Sequence, residues 1–362
     1  MSSCDACLRR THLVGRLAPR IAGLLDRPRA RARASGLLAL PDRELILAVA
    51  GERVDEVRFE LAQFDPAAQR AHLHELGIAV FCRHDLSYPE SLGDLADPPA
   101  VLHVLGEQAG GGPSVAVVGT RSASPYGLEV AYALGRALAV AGVTVVSGLA
   151  LGIDAAAHRG CLDGGGRPLA VVAGGVDVPY PRQNQRLYER VAREGAVVSE
   201  LPPGARPFRW SFPARNRIMA GLAEMTVLVE AADPSGSLIT AEFARDIGRT
   251  VGAVPGRVTA RVAAGTNGLL RDGAVPVTGP QDVLDELFGA GARTVAEPKP
   301  LPGLEPSLRE VLEGVEGGRS LGQVARATGI SVSQARAALA RLEAQGLIVR
   351  SGLGSWERTA RH

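Results

Sequence analysis

The sequence of 362 residues predicts an α/β fold built on a doubly wound, mostly parallel β-sheet, because strand-like and helix-like segments alternate along its central part. Between residues 115 and 254, six short runs rich in apolar and β-branched residues alternate with segments of helical spacing. A parallel sheet needs such helical crossovers, and they cover both of its faces. Ligands of these sheets bind at the carboxyl ends of the strands. The predicted strands are residues 115–119, 143–147, 169–173, 196–199, 226–230 and 250–254, and the predicted helices are residues 127–141, 154–162, 184–193, 214–222 and 237–247.

Residues 1–105 precede this Rossmann-like core, which we assign to residues 110–290, and have the pattern of a small helical domain. Polar breaks separate four segments of helical spacing, and a short apolar run at residues 78–82 predicts one strand. A turn-rich stretch follows at residues 88–99. The predicted helices are residues 12–25, 41–50, 54–64 and 66–76.

A proline-rich linker at residues 291–306 leads into a third domain at residues 307–362, whose pattern is typical of a winged helix. Two short helices, a longer helix and two short strands follow one another there. Ser331 is placed to cap the longer helix, and Gln334, three residues later, is placed to complete a capping box. The predicted helices are residues 308–312, 321–328 and 331–345, and the predicted strands are residues 347–350 and 355–358.

The basic residues are almost all arginine, since the chain has 39 Arg and one Lys, Lys299. A Walker A loop requires a lysine after its glycine, and a Schiff-base enzyme requires a buried one. Lys299 lies in the linker and can do neither. The composition therefore excludes an ATP-driven motor of the P-loop type and a Schiff-base enzyme, and we expect no cofactor.

Four cysteines in a chain of this length do not make a disulfide framework. Cys4 and Cys7 form a single C-x-x-C, and His12 is the nearest additional ligand, so we expect unpaired thiols and no metal. The amino terminus lacks the apolar segment of a signal peptide, and no apolar run is long enough to span a membrane. We expect a cytoplasmic protein that does not bind membranes.

The turn after the first predicted core strand carries small and hydroxylated residues at a strand-to-helix junction. Such a turn exposes backbone N–H groups beside the positive end of a helix, an arrangement that binds phosphate. Its glycine spacing is not G-x-G-x-x-G, and no acid follows about 20 residues later, so a dinucleotide oxidoreductase is disfavoured. Similar turns follow later strands, which indicates one binding surface along this edge. The candidate residues in these turns are Gly119, Thr120, Arg121, Ser122, Tyr126, Gly127, Ser147, Gly148, Gly236 and Ser237.

Residues 206–217 interleave four arginines with three of the chain's nine Phe and Trp residues and contain no acid. Basic groups beside aromatic rings are the ingredients of single-stranded nucleic-acid binding, because arginines neutralise phosphates while bases stack on the rings. Two prolines make a fully buried loop unfavourable. Either Phe212 or Trp210 could supply the stacking ring. The candidate residues of this stretch are Arg209, Phe212, Arg215, Asn216 and Arg217.

Taken together, the motifs of residues 110–290 resemble those of the DNA-processing protein A family (DprA, also called Smf), because they occur in the same order. The shared strings are Gly119-Thr120-Arg121, Tyr126-Gly127, Ser147-Gly148-Leu149-Ala150, Gly152-Ile153-Asp154, Tyr180-Pro181, Asn184, Ser199-Glu200, Phe212-Pro213, Arg215-Asn216-Arg217, Ser235-Gly236-Ser237, Thr240-Ala241 and Val254-Pro255-Gly256.

The resemblance implies a protein that is not an enzyme. It implies binding of single-stranded DNA, displacement or bypass of single-strand-binding protein, and loading of RecA recombinase, chiefly in natural transformation. It also implies a homodimer through the Rossmann-like domain, an amino-terminal domain similar to sterile-alpha-motif folds, and a winged helix behind. The family's DNA sites correspond to Arg121, Arg209 and Phe212, with Asn216 and Arg217 in the adjoining motif.

Two other functions stay open at this stage. One is a nucleotide or nucleoside-phosphate hydrolase on a similar scaffold, with Glu242 as general acid by position, although the paired glycines of such enzymes are absent. Asp154 and His158 lie one helical turn apart, but we favour a structural role for this pair. The other is a transcription regulator whose winged helix binds duplex DNA, with Arg336 and Arg341 on its third helix.

Overall fold

The fold is given by a computed structural model that describes residues 3–25, 34–107, 111–294, 304–315, 320–345, 347–350 and 355–358. The chain divides into two compact units, Met1–Val295 and Ala296–His362. Most of the predicted linker, with Lys299, lies outside the described residues. The proposed boundary between residues 105 and 110 falls inside the first unit and stays a prediction.

A single β-sheet forms the centre of the first unit and contains nine strands within the described residues. The inner strands of the parallel part are short, rich in apolar residues and almost entirely buried, as expected for strands that are covered on both faces. The strands are β1 (Ile78–Cys82), β2 (Val101–Gly106), β3 (Ser114–Val118), β4 (Thr144–Ser147), β5 (Leu169–Val171), β6 (Ala196–Ser199), β7 (Met225–Leu228), β8 (Thr250–Ala253) and β9 (Val275–Pro276).

The strand order across the sheet is β1-β2-β6-β5-β4-β3-β7-β8-β9. Strands β3 to β9 are parallel, whereas β2 runs antiparallel to β6 and β1 runs antiparallel to β2. From β3 the chain moves outward through β4, β5 and β6, and then returns to place β7 on the other side of β3. This confirms the doubly wound, mostly parallel class and makes the end of β3 a topological switch point, where such sheets bind ligands.

Helices cover both faces of the sheet because successive residues of each strand point to opposite sides. In β3, Val115 and Val117 join one buried apolar cluster with residues of the helices Pro125–Val140 and Ile153–Asp163, whereas Ala116 and Val118 join another with residues of the helices Ser211–Leu222 and Leu238–Asp246. These helices are α6 (Pro125–Val140), α7 (Ile153–Asp163), α8 (Gln185–Glu194), α9 (Ser211–Leu222), α10 (Leu238–Asp246), α11 (Ala264–Arg271) and α12 (Pro280–Phe288).

The amino-terminal helices pack against the segment that precedes α9. The first of them begins at Asp5, earlier than predicted, because Cys7 and Leu8 continue its buried face. Leu17 and Ile21 share a buried cluster with Trp210, whose indole Nε1 donates a hydrogen bond to the carbonyl of Ala18 at 3.1 Å. The helices are α1 (Asp5–Leu25), α2 (Ala34–Ala39), α3 (Asp42–Val49), α4 (Val54–Gln63) and α5 (Pro66–Glu75).

The second unit has the predicted order of three helices followed by an antiparallel hairpin. The capping box of its longest helix is formed: Gln334 N donates to Ser331 Oγ at 3.2 Å, and Ser331 N donates to Gln334 Oε1 at 3.0 Å. No helix among the described residues is both long and apolar enough to cross a membrane. The elements are α13 (Pro306–Gly314), α14 (Leu321–Thr328), α15 (Val332–Ala344), β10 (Ile348–Arg350) and β11 (Trp356–Arg358).

Candidate nucleic-acid interface

A crevice of about 650 Å³ opens at the topological switch point, between the carboxyl ends of β3 and β7 and the start of α9. We call it the switch-point crevice. Residues from four separate predicted turns or loops line it, so the structure brings most of the sequence candidates together. The candidates in its lining are Gly119, Thr120, Arg121, Arg209, Phe212, Arg215, Asn216, Gly236 and Ser237.

One side of the crevice carries a cation stacked on an aromatic pair. The guanidinium carbon of Arg121 lies 5.0 Å from the centroid of the Phe212 ring, within the range of a cation–π contact. The Tyr180 ring lies on the same Phe212 at a centroid distance of 5.6 Å and an interplanar angle of 51°. Arg121 and Tyr180 are exposed and Phe212 is half-buried. The group therefore places a positive charge beside two aromatic rings in the lining of the crevice.

The crevice is positively charged. Arg121 and the exposed Arg209 line it together with the buried Arg215. Among the described residues of the lining, Asp154 is the only acid, and it lies 3.8 Å from the Arg215 guanidinium. A concave wall with an excess of one charge concentrates ions of the opposite sign. The site is suited to a polyanion, although the net charge of the whole chain is only +2.

Arg215 and Asp154 form the buried floor of the crevice. Arg215 Nη1 donates to the carbonyls of Gly148 and Val171, both at 2.5 Å, and Asp154 Oδ2 accepts from the backbone N–H groups of Gly148 and Ala150. Burial lowers the pKa of Arg215 to about 10, against the opposing effect of Asp154, so the guanidinium stays charged at neutral pH. The pair thus clamps the turn after β4.

Gly148 is required by this clamp. A Cβ atom there would lie 2.1 Å from the Arg215 guanidinium, a distance that real contacts do not show. Gly148 and Arg215, both candidates for DNA binding, therefore act together to shape the crevice from within. No side chain larger than hydrogen fits above that guanidinium without moving it.

Glu230, which sequence reasoning missed, anchors the turn that carries Arg121. Its carboxylate accepts hydrogen bonds from Ser124 N at 2.9 Å and from Ser124 Oγ at 2.5 Å, and its carbonyl accepts from Thr120 N at 2.7 Å. A Cβ atom at Gly127 would lie 2.4 Å from the same carboxylate. The signal for this role is an acid at the end of an apolar strand, because a buried carboxylate needs several donors.

Several candidates lie outside the crevice lining. Gly127 and Ser147 are buried, and Ser147 Oγ donates to the Val117 carbonyl. Ser122 is exposed in the same turn as Arg121, and the exposed Tyr126 opens α6. Trp210, the alternative to Phe212 as a stacking ring, is buried against α1, whereas Phe212 and Tyr180 line the crevice.

Arg217 also lies outside the crevice and is 2% exposed. Its guanidinium is 3.0 Å from Asp97 Oδ2 and 2.6 Å from Glu200 Oε2. Burial raises the pKa of Asp97, although the Arg217 charge opposes this. The arginine ties the end of β6 and the loop before β2 to α9 and lines a second cavity of about 560 Å³ beside α1.

Asn216 and the turn after β7 complete the rim. Asn216 Nδ2 donates to the carbonyl of Gly236 at 3.0 Å, which holds the turn at residues 234–237 over the crevice. This turn leads into α10, so its backbone N–H groups lie at the positive end of a helix. A Cβ atom at Gly236 would meet nothing within 4 Å, so this glycine is not needed for packing within the chain. Its bare backbone is open to a close ligand.

Comparisons with known proteins agree with one another. Residues 79–288 match the family model described as DNA recombination-mediator protein A. The chain is similar to a DNA processing protein DprA of Mycobacterium tuberculosis, at 42% identity over 255 residues, with 67% of this chain and 66% of that protein covered. It is also similar to the Smf protein of Synechocystis, at 36% identity over 302 residues, with 73% of this chain and 76% of that protein covered. The match to the Mycobacterium tuberculosis protein thus spans just under two thirds of that protein's length.

Two solved structures share the fold. DNA processing protein A of Streptococcus pneumoniae aligns with a TM-score of 0.61 and 32% identity, covering 79% of this chain and 99% of that one. DNA processing protein A of Helicobacter pylori, solved in a study of its unique single-stranded DNA binding mode, aligns with a TM-score of 0.52 and 28% identity. That alignment covers 58% of this chain and 95% of the Helicobacter pylori chain.

Proposed function

This chain belongs to the DNA recombination-mediator protein A family, and we propose that it binds single-stranded DNA in the switch-point crevice. The family is one of recombination mediators rather than enzymes. The observation that carries the proposal is the stacking of Arg121 on Phe212 at the mouth of a cationic crevice. The Helicobacter pylori relative, with its single-stranded DNA binding mode, supports the same ligand.

Binding in the crevice divides between phosphates and bases. Arg121 and Arg209 each neutralise one phosphate, and the Phe212 and Tyr180 rings stack successive bases. A base stacked on an aromatic ring contributes about 1–3 kcal/mol. Neither type of contact reads base edges, so binding depends little on sequence. A duplex has its bases already stacked and is a poorer ligand.

The backbone of the 234–237 turn supplies a further phosphate contact. Its N–H groups are at the start of α10, and the Asn216 hydrogen bond to Gly236 fixes their direction. Ser235 Oγ and Ser237 Oγ lie 2.9 Å apart in the same turn and add hydroxyl groups. The turn at residues 119–121 lines the same crevice and contributes the Arg121 guanidinium.

The bound strand is delivered to RecA recombinase, with single-strand-binding protein as the competitor that is displaced or bypassed. We propose this in natural transformation, together with a homodimer formed through the Rossmann-like unit. These partners rest on the family membership. A mediator of this kind needs no ATPase of its own, which agrees with a chain that has a single lysine at position 299.

The hydrolase alternative has less support than binding. Its proposed general acid, Glu242, is exposed on α10 and is not among the residues that line the crevice. The second candidate residue, His158, is fully buried, and burial lowers its pKa to about 3, so the imidazole is uncharged at neutral pH and is not an imidazolium acid. Asp154 is occupied by backbone N–H groups and Arg215.

The proposal is tested by competition. A fluorescent oligo-dT is bound to the full chain, and unlabelled single-stranded or duplex DNA is added while anisotropy is followed. We expect the single strand to compete at much lower concentration than the duplex; the reverse order would favour the transcription regulator. In a second arm, RecA filament growth on DNA coated with single-strand-binding protein is timed with and without the chain, and an unchanged lag would contradict the mediator role.

A further inference from the structure

A cluster of three cysteines and one histidine lies where α1 meets the end of β1. One ligand atom from each of Cys4, Cys7, Cys82 and His84 can be chosen so that all four lie within 4.8 Å of one another. His84 Nδ1 is 3.4 Å from Cys4 Sγ and 3.4 Å from Cys7 Sγ. The backbone N of Cys4 lies 3.4 Å from Cys82 Sγ. The four donors therefore surround one point.

The two separations between His84 and the cysteines of the C-x-x-C match those of ligands on a single tetrahedral ion. With Zn–S near ~2.3 Å and Zn–N near ~2.0–2.1 Å, adjacent ligand atoms of a tetrahedral site are about 3.5–3.8 Å apart. The observed 3.4 Å contacts between His84 and two of the cysteines are within a few tenths of an ångström of these values. Only small side-chain adjustments are needed to accept an ion.

Local structure holds each pair of ligands in place. Cys4 and Cys7 lie on one face of the first helical turn, where Leu8 N donates to the Cys4 carbonyl at 3.1 Å. Cys82 and His84 lie in the tight turn that ends β1. Asp85 fixes this turn, because its carboxylate accepts from Cys82 N at 2.7 Å and its own N–H donates to the Cys82 carbonyl at 2.8 Å.

We propose that Cys4, Cys7, Cys82 and His84 bind one structural Zn²⁺ ion. Thiolate and imidazole ligands favour zinc over the hard cations Mg²⁺ and Ca²⁺. Four protein ligands leave no open position, which is the arrangement of a structural site rather than a catalytic one. Cys7 and Cys82 are 2% and 1% exposed, so the ion would be shielded from solvent on the inner side.

The sequence alone does not reveal this site, because two of its four ligands, Cys82 and His84, are far from the C-x-x-C in the chain. His12, the nearest histidine to the C-x-x-C, instead stacks on Phe64 with ring centroids 4.3 Å apart. The cysteines are free of disulfides, as expected, and the proposal adds a metal that pairs the C-x-x-C on a helix with a C-x-H in a turn. The fold brings these two short motifs together.

The ion would fasten α1 to the edge of the sheet. The same helix donates a hydrogen bond from Thr11 Oγ1 to the Glu200 carbonyl at 2.6 Å and accepts one from the Trp210 indole at Ala18. Both partners flank the basic segment that precedes Phe212. Zinc binding therefore stabilises the helix that supports one wall of the switch-point crevice, without contact between the ion and DNA.

The test measures zinc in the full chain, expressed with zinc in the medium and purified without metal-affinity resin or chelator. Inductively coupled plasma mass spectrometry should find one zinc per chain in the wild type and in Cys161→Ser, a matched control that removes the buried cysteine outside the cluster. Cys7→Ser combined with His84→Ala should lose the zinc. Wild-type protein without zinc after incubation with the metal, or a double variant that retains it, would overturn the proposal.

Two further measurements guard against a variant that fails to fold. His84→Cys keeps four soft ligands and should retain zinc. Replacing zinc by Co²⁺ in the wild type should give the intense visible bands of tetrahedral cobalt with thiolate charge transfer, and chelation should lower the thermal midpoint. Octahedral cobalt spectra, or a Cys4–Cys7 disulfide in alkylated peptides from freshly purified protein, would contradict a zinc site.

Discussion

The Arg121 guanidinium lies 5.0 Å from the centre of the Phe212 ring, although the two residues belong to different strand-to-helix connections. The doubly wound topology brings these connections together at the carboxyl end of β3. The hydrogen bonds of Glu230 to Ser124 and Thr120 fix the turn that carries Arg121, and Phe212 lies in the first turn of α9. The pairing of charge and ring is thus a consequence of the fold.

Exchanging Phe212 for leucine should weaken single-stranded DNA binding by about 1–3 kcal/mol, because the bulk is kept while a stacking face is lost. Anisotropy titration with oligo-dT measures this. Phe288→Leu is the matched control, since Phe288 also lies under an arginine, Arg293 at 3.8 Å, but is not among the residues that line the crevice. Equal affinity of Phe212→Leu and wild type would remove the ring from the binding site.

Two glycine substitutions should separate binding from stability. Gly236→Ala should leave the free energy of unfolding unchanged, because its Cβ meets nothing within 4 Å, but should weaken DNA binding by obstructing a close phosphate. Gly148→Ala should destabilise the protein by about 1–3 kcal/mol, because its Cβ would overlap the Arg215 guanidinium. Urea unfolding and anisotropy on both variants provide the comparison. A stable Gly148→Ala protein would contradict the clamp described for Arg215.

Replacing Arg217 by methionine should cost stability rather than binding. The change leaves the buried Asp97 and the partly buried Glu200 without their cation, and removing one partner of a buried ion pair typically costs about 3–5 kcal/mol. Affinity for oligo-dT, measured where the variant is still folded, should be unchanged. If stability is kept and affinity is lost, Arg217 touches DNA directly after all.

Acidification should destabilise the protein through two buried histidines. Burial lowers the pKa of His103 to about 4 and that of His158 to about 3, whereas both titrate near 6.5 when the chain is unfolded. Below about pH 6.5 the unfolded state therefore takes up more protons, and each histidine costs up to about 1.4 kcal/mol per pH unit. Urea unfolding between pH 7.5 and 5 should show a shallower loss for His158→Gln than for wild type. Parallel pH dependences of the two proteins would show that His158 is not responsible.

The parallel core was predictable because short segments rich in apolar and β-branched residues alternate there with segments of helical spacing. Residues 196–199 were predicted with the bounds of β6, and the other five core strands shifted by at most a few residues. Strand β2 was missed, since it follows a proline-rich turn and includes His103, which looks polar in sequence but is fully buried. Only the fold reveals that β1 and β2 extend the central sheet.

The location of the candidate site at one edge of the sheet could be predicted from the sequence, but the role of each residue in it could not. Turns at the ends of parallel strands must meet at one edge, so Arg121 and Gly236 could be grouped from sequence. Residue type does not tell which arginine faces solvent: Arg209 does, whereas Arg217 is enclosed by two acids. Glu230 was missed because its partner, Ser124, lies far away in the chain.

The central claim, that Arg121 holds a phosphate of single-stranded DNA, is tested most directly by salt dependence. Oligo-dT affinity is measured over a range of salt concentrations for wild type, Arg121→Ala and Arg167→Ala. Arg167 is an exposed arginine that pairs with the exposed Glu107 and lies just before β5, at the opposite edge of the sheet. We predict that the slope of log K against log salt becomes shallower by about 0.7 in Arg121→Ala and stays unchanged in Arg167→Ala. A wild-type slope in Arg121→Ala would contradict the claim.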